Sequence, residues 1–252
     1  MQYRLAVAIG NSRLHLGLFQ GSHLEIFWDT AHLQEPITSQ DLQELVPRKY
    51  RSQINFAESN KFKPEIVLAS VVPSQTAYWQ NYPQLRQIVL ADIPVFNLYP
   101  TMGIDRALAI FGAGQKYGYP CLVIDGGTAL TLTAVDRERK LVGGAILAGL
   151  RSQTIALSQQ TSALPQIELP QTLPSLWATD TKDAIASGII HTLTVGVANY
   201  ITHWQAQYPE SSIIFTGGDG KILRNYLQQY KADLAQEIQC DRNLIFRGMQ
   251  YL

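Results

Sequence analysis

Residues 5–19 and 121–135 carry one local pattern twice, and that repetition restricts the chain to folds built from two copies of a unit. In the first copy, Leu5 to Ile9 is an apolar run stopped by Gly10-Asn11-Ser12, after which Leu14, Leu16 and Leu18 alternate with His15, Gly17 and Phe19. In the second, Cys121-Leu122-Val123-Ile124 leads into Asp125-Gly126-Gly127-Thr128, and Leu130, Leu132 and Ala134 then alternate with Thr131, Thr133 and Val135. Each reads as strand, tight turn, strand. Aligning Gly10 with Gly127 sets Ala8 against Asp125 and Phe19 against Asp136, an internal repeat that decides architecture before any single element does.

The rest of the chain fits this frame. A third strand is expected at Leu24 to Trp28, helical pieces near Gln40–Leu45 and Tyr50–Ala57, and a buried strand from Ile66 to Val72 closed by Pro73. Apolar residues at Ala107, Leu108, Ile110, Phe111 and Ala113 predict a helix over Ile104–Tyr117, entered after Gly103 and ended by Gly118 and Pro120. The second copy continues with a strand through Leu141–Leu147, a helix over Thr181–Gln207, a strand at Ile213–Phe215 and the turn Thr216-Gly217-Gly218. A helix over Gly220–Gln228 and a short strand at Asn243–Phe246 close it. Strands mixed with helices, with a hairpin leading each half, predict two similar α/β domains of residues 1–115 and 116–252, facing each other.

Composition excludes several functions. Twenty Lys+Arg balance twenty Asp+Glu, so the broad positive field of a non-specific nucleic-acid binder is missing. Cys121 and Cys240 are too few for a disulfide framework and lack zinc-site spacing, which fits a cytoplasmic location. The apolar stretch near Met1 is too short for a signal core. Later segments fall short of the roughly 18 apolar residues of a membrane span, so no membrane partner is expected.

Chemistry concentrates at the turns. Glycine at a strand-to-strand turn can adopt positive φ and leave successive backbone N–H groups open to a phosphate. Two such turns, one from each half, suit the β- and γ-phosphates of a nucleotide, although each alone is an ordinary hairpin turn. Asp125 ends a buried strand beside Gly-Gly-Thr, where it either bonds its own turn or holds a cation, with Thr128 reaching the same phosphate. Gly103-Ile104-Asp105-Arg106 opens a helix. Its acid is a capping device or, beside a guanidinium able to hold an anion, the base of an acceptor site.

In order along the chain stand Ala8-Ile9-Gly10-Asn11-Ser12, Gly103-Ile104-Asp105-Arg106, Asp125 through Thr131, Gly143-Gly144-Ala145-Ile146-Leu147-Ala148-Gly149, Thr181 through Gly188, and Thr216-Gly217-Gly218. This series resembles the type III pantothenate kinases of the actin/Hsp70/sugar-kinase superfamily, whose motifs read D-x-G-N-T, G-x-D-R, D-x-G-T-A-x-T, G-G-x-I-x-P-G, T-x-x-A-I-x-x-G and T-G-G. The resemblance implies two actin-like (ribonuclease H-like) α/β domains with mixed sheets and an ATP cleft between them. It also implies ATP-dependent phosphorylation of pantothenate, the first step of coenzyme A biosynthesis.

By the same resemblance, Asp105 is the general base toward the pantothenate hydroxyl. Tyr99, Gly103, Ile104, Arg106 and Thr181 bind that substrate, Thr181 across a homodimer. Gly10, Asn11, Ser12 and Thr128 contact ATP, whose phosphates are bridged by Mg2+. Asp125 holds a monovalent cation, K+ or NH4+.

Three positions depart from the pattern: Ala8 stands for an aspartate, Thr133 for another acid and Ala148 for a proline. Losing the carboxylate at position 8 leaves a second reading open, a catalytically weakened nucleotide-binding or regulatory homologue. A phosphatase or sugar kinase of the same superfamily is argued against by Gly103–Arg106. His15, His23, His32, His191 and His203 lack metal-ligand spacing and are assigned no role; Trp28, Trp79, Trp177 and Trp204 read as packing residues, with Trp177 near Thr181.

Overall fold

A computed structural model describes residues 3–51 and 64–252. Its elements in chain order are β1 (Tyr3–Ile9), β2 (Leu14–Gln20), β3 (His23–Thr30), α1 (Ser39–Leu45), α2 (Arg48–Arg51), β4 (Glu65–Ser70), α3 (Pro73–Ala77), β5 (Leu85–Gln87) and α4 (Ile104–Tyr117). Then follow β6 (Cys121–Gly126), β7 (Ala129–Val135), β8 (Leu141–Ala148), α5 (Leu150–Gln160), α6 (Thr181–Gln207), β9 (Ser212–Thr216), α7 (Gly220–Tyr230), α8 (Ala232–Ala235), β10 (Gln239–Cys240) and α9 (Leu244–Gln250). The chain divides into two compact units. One comprises Met1–Ile93, Tyr99–Leu108 and Gly248–Leu252, the other Pro94–Leu98 and Ala109–Arg247.

The first unit holds a mixed sheet in the order β3-β2-β1-β4-β5, in which β1 is antiparallel to β2 and parallel to β4. Central β1 is buried from Leu5 to Ile9, so it reads as an unbroken apolar run, whereas edge strand β3 alternates exposed and half-buried residues. Leu5, Val7, Ile9, Leu14, Leu16, Leu18, Ile66, Leu68 and Trp79 make its core. Helix α1 starts at a capping box in which Thr38 Oγ1 accepts from the Asp41 N–H while Asp41 accepts from the Thr38 N–H (3.2 and 2.9 Å). Gly248–Leu252 complete this unit, and Arg86 donates to the Leu252 carbonyl (2.8 Å).

The second unit repeats the topology. Its sheet runs β10-β9-β6-β7-β8, with β6 antiparallel to β7 and parallel to β9, so β6 occupies the place of β1 and β9 that of β4. The repeat read in the sequence is therefore a repeat of strand order and direction. Its core gathers Leu122, Ile124, Leu132, Ile213 and Phe215 from the sheet with Ile190, Leu193, Val197 and Ile201 from α6 and Leu223 and Tyr226 from α7.

Three expectations need correction. Pro73 does not close a strand reaching Val72; β4 ends at Ser70, and Pro73 opens α3 at the first helical position, where its missing N–H costs nothing. Asn243–Phe246 lies at the start of α9 rather than in a strand, and the short strand of this region is β10. Helix α6 is long and apolar enough to cross a membrane by length and composition, which the sequence reading did not anticipate; 56% of that stretch is buried inside the protein, as for a core helix. The helix expected over Tyr50–Ala57 lies largely outside the described residues, its described part being the end of α2 at Arg51.

Candidate functional site

In the first unit the β1–β2 connection is the turn Gly10-Asn11-Ser12-Arg13, drawn together by the Gly10 N–H donating to the Arg13 carbonyl (3.0 Å). Asn11, Ser12 and Arg13 are exposed. His32 Nε2, just after β3, donates to the Gly10 carbonyl (2.9 Å) and ties the turn to that segment. The expected positive φ is not found at Gly10 or Gly127; among described glycines it occurs at Gly21, Gly118, Gly143 and Gly217. These hairpins close in ordinary backbone, and the strained position lies elsewhere.

Beside this turn, the Val71 N–H donates to the Ile9 carbonyl (3.1 Å), and Val71 packs where a side chain on Gly103 would point. A methyl on Gly103 would also lie 2.5 Å from Asp105 Oδ1, so the glycine leaves the carboxyl its place. Asp105 sits in the first turn of α4 after buried Ile104 and accepts from the Arg106 N–H (2.8 Å). Burial pushes its pKa up; the hydrogen bond and charge of Arg106 and the nearby His15 oppose that without cancelling it. Arg106 is buried and donates through Nη1 to the Tyr99 hydroxyl (2.7 Å), while Tyr99 is 40% exposed. One unit thus assembles a turn of open backbone, an acid of raised pKa and an anchored guanidinium.

In the second unit Asp125 lies near the end of β6, as the sequence placed it, opposite Thr131 of β7 and Thr216 of β9. The connection itself is Gly127-Thr128. Two helices begin against it. The Thr128 carbonyl accepts from the Gly149 N–H (2.9 Å) and Ser152 Oγ (2.7 Å) at the start of α5, and the Gly126 carbonyl accepts from the Asp219 N–H (2.8 Å) at the start of α7. Arg151 Nε donates to buried Asp219 (3.0 Å) and ties the two helix starts together. With both N-termini aimed at one turn, their dipoles favour an anion there.

Sequence reasoning missed Arg151 and Asp219 and quoted Gly149 only as part of a motif, because their contacts come from where α5 and α7 dock. It also passed over His15 and Asp29; the period of two along β1 and β2 was the available signal, since it puts position 15 opposite position 8. Thr181 is the exposed first residue of α6, behind Asp180, whose side chain caps the Lys182 and Asp183 N–H groups (3.0 and 3.1 Å). Trp177 is 89% exposed rather than packed and lines a cavity of about 630 Å³ with Gln166, Pro170, Lys182 and Asp183; none of the expected site residues lines it. Among described residues no cluster of three His, Cys, Asp or Glu side chains could hold a metal alone.

Residues 4–203 match the sequence model of a family described as type III pantothenate kinase. A protein of that description from Nostoc sp. is 44% identical over 98% of this chain and 92% of its own. Among solved structures, the ethanolamine utilization protein EutJ from Carboxydothermus hydrogenoformans is similar at a TM-score of 0.55 and 12% identity, over 99% of this chain and 89% of that one. MreB 5 of Spiroplasma citri bound to AMPPNP is similar at 0.51 and 10%, over 100% and 96%. These two likenesses speak to the fold, which is actin-like.

Proposed function

The chain belongs to the type III pantothenate kinase family and is an ATP-dependent pantothenate kinase, and from that premise we propose how its residues divide the reaction. Asp105 takes the proton of the pantothenate hydroxyl as that oxygen attacks the γ-phosphorus of ATP and the bond to the β,γ-bridging oxygen breaks, releasing ADP. Its raised pKa suits the task, because a base is most effective when its pKa approaches the working pH. Arg106, anchored by Tyr99, receives the pantothenate carboxylate, and Gly103 and Ile104 shape that pocket. Gly10, Asn11, Ser12 and Thr128 bind ATP through hydroxyl, amide and backbone groups. Mg2+ neutralises the phosphates when bound, and the residues then have positioning and charge stabilisation to supply.

Finer assignments belong to the same proposal. Asp125 holds a monovalent cation, K+ or NH4+, beside the phosphates. Exposed Thr181 reaches pantothenate across a homodimer. The two domains of the kinase follow residues 1–115 and 116–252, except that Pro94–Leu98 and Ala109–Gln115 group with the second unit and Gly248–Leu252 with the first, and the free thiols of Cys121 and Cys240 accord with a reducing cytoplasm.

The observation that carries this reading is the buried Arg106 guanidinium held by Tyr99 next to an acid of raised pKa. Purified protein with ATP, Mg2+, K+ and pantothenate is expected to form 4'-phosphopantothenate, and the Asp105→Asn variant to form it far more slowly. Full turnover in that variant refutes the assigned base.

A further inference from the structure

Ala8 occupies the end of central strand β1, where the family motif carries aspartate. The registers on either side place His15 of β2 opposite Ala8 and Asp29 of β3 opposite His15. The matching row of the second sheet reads Asp125, Thr131, Ile146. Residues directly opposite in adjacent strands share a face, so Ala8, His15 and Asp29 form one row at the turn end of the first sheet. His15 Nδ1 lies 2.7 Å from Asp29 Oδ1. Its other ring nitrogen faces the turn, since a methyl placed on Gly10 would lie 3.6 Å from His15 Nε2.

Distance decides which of the two replaces the missing acid. Strands lie about 4.8 Å apart, so Asp29 stands roughly 10 Å from β1, too far to act as a carboxylate at position 8 would. The imidazole is one strand away and already turned toward Gly10.

Resting on the placement of ATP at the Gly10–Ser12 turn, we propose that His15, held by Asp29, is a phosphate-binding residue whose Nε2–H donates directly to a phosphate oxygen of ATP. Because the Asp29 carboxylate accepts from Nδ1, Nε2 donates to phosphate when the ring carries a proton on both nitrogens. Asp105, at the start of α4, is the other acid within the ring's field. A carboxylate meets phosphate only through an intervening cation, whereas an imidazolium meets it without one. The row Ala8–His15–Asp29 exchanges a metal-mediated contact for a direct one, which answers how this chain dispenses with the motif aspartate.

The test compares wild type, His15→Gln and Asp29→Asn by calorimetric titration with ATP and with adenosine, by KM for ATP and for pantothenate, and by Tm. His15→Gln is expected to weaken ATP binding about tenfold or more, the loss of one charge-assisted hydrogen bond, with adenosine binding and the pantothenate KM unchanged. Asp29→Asn, which keeps the ring but loosens it, moves ATP the same way by less and serves if His15→Gln fails to fold. Unchanged ATP affinity in the variants, an equal loss for adenosine, or a drop confined to Tm overturns the proposal and leaves the pair as a tie between β2 and β3. The titration reads ATP without turnover, so a wild type that binds ATP yet leaves pantothenate untouched refutes the functional reading and not this one.

Discussion

Gly217 lies directly against the Asp125 carboxylate: at φ +81 its backbone takes a conformation that side chains avoid, and a methyl there would overlap Asp125 Oδ1 and come within 2.6 Å of the Gly126 carbonyl. The glycine after β9 and the acid in β6 are thus one fitted pair, supplied by neighbouring parallel strands.

Gly217→Ala is therefore expected to cost about 1–2 kcal/mol in backbone strain alone, and more through displacement of Asp125. Thermal denaturation measures the first effect. An ATP titration measures the second, with a raised KM for ATP expected.

Asp105 sets activity against stability. Its folded pKa lies above the ordinary 3.8, so the folded state holds a proton where the unfolded state has lost it, and stability falls as pH rises through the window from 3.8 to the raised value. At neutral pH the half-buried ionised carboxyl is a net cost. Asp105→Asn should raise Tm at pH 7 while lowering turnover roughly 10²–10⁴-fold. Wild-type kcat/KM for pantothenate should decline toward acid pH with an apparent pKa above that of a free aspartate.

Tyr99→Phe removes one acceptor of the Arg106 guanidinium, which is only 8% exposed. Losing a hydrogen bond to a buried charge costs about 1–3 kcal/mol. The KM for pantothenate should rise while that for ATP stays constant, as steady-state kinetics with each substrate varied in turn would establish.

Asp125→Asn keeps the shape of the site and removes its charge. Wild-type turnover is expected to respond to KCl or NH4Cl added to a potassium-free assay, and the variant to lose most of that response. Equal stimulation of both proteins would place the cation elsewhere.

The sequence was most legible where one residue period ran long. Helix Ile104–Tyr117 was predicted to its observed ends, because Gly103, Gly118 and Pro120 bracket a sustained apolar pattern, and the helix read from about Thr181 to Gln207 spans those residues. The paired hairpins were legible for the same reason and carried the fold with them. The run from Asn243 was too short for its apolar residues to separate a strand from a helix, and it belongs to α9. At the site, Asp105 and Arg106 are sequence neighbours and could be read together, whereas Gly149, Arg151 and Asp219 meet the Gly127-Thr128 turn only through the docking of α5 and α7. Gly217 stood in a legible motif, but its partner Asp125 becomes visible only once β6 and β9 lie side by side.

Residues 248–252 belong to the unit that the amino-terminal strands begin, and Arg86 holds the carbonyl of Leu252. On the ribosome, the half that emerges first therefore waits for amino acids added after the other half has been translated.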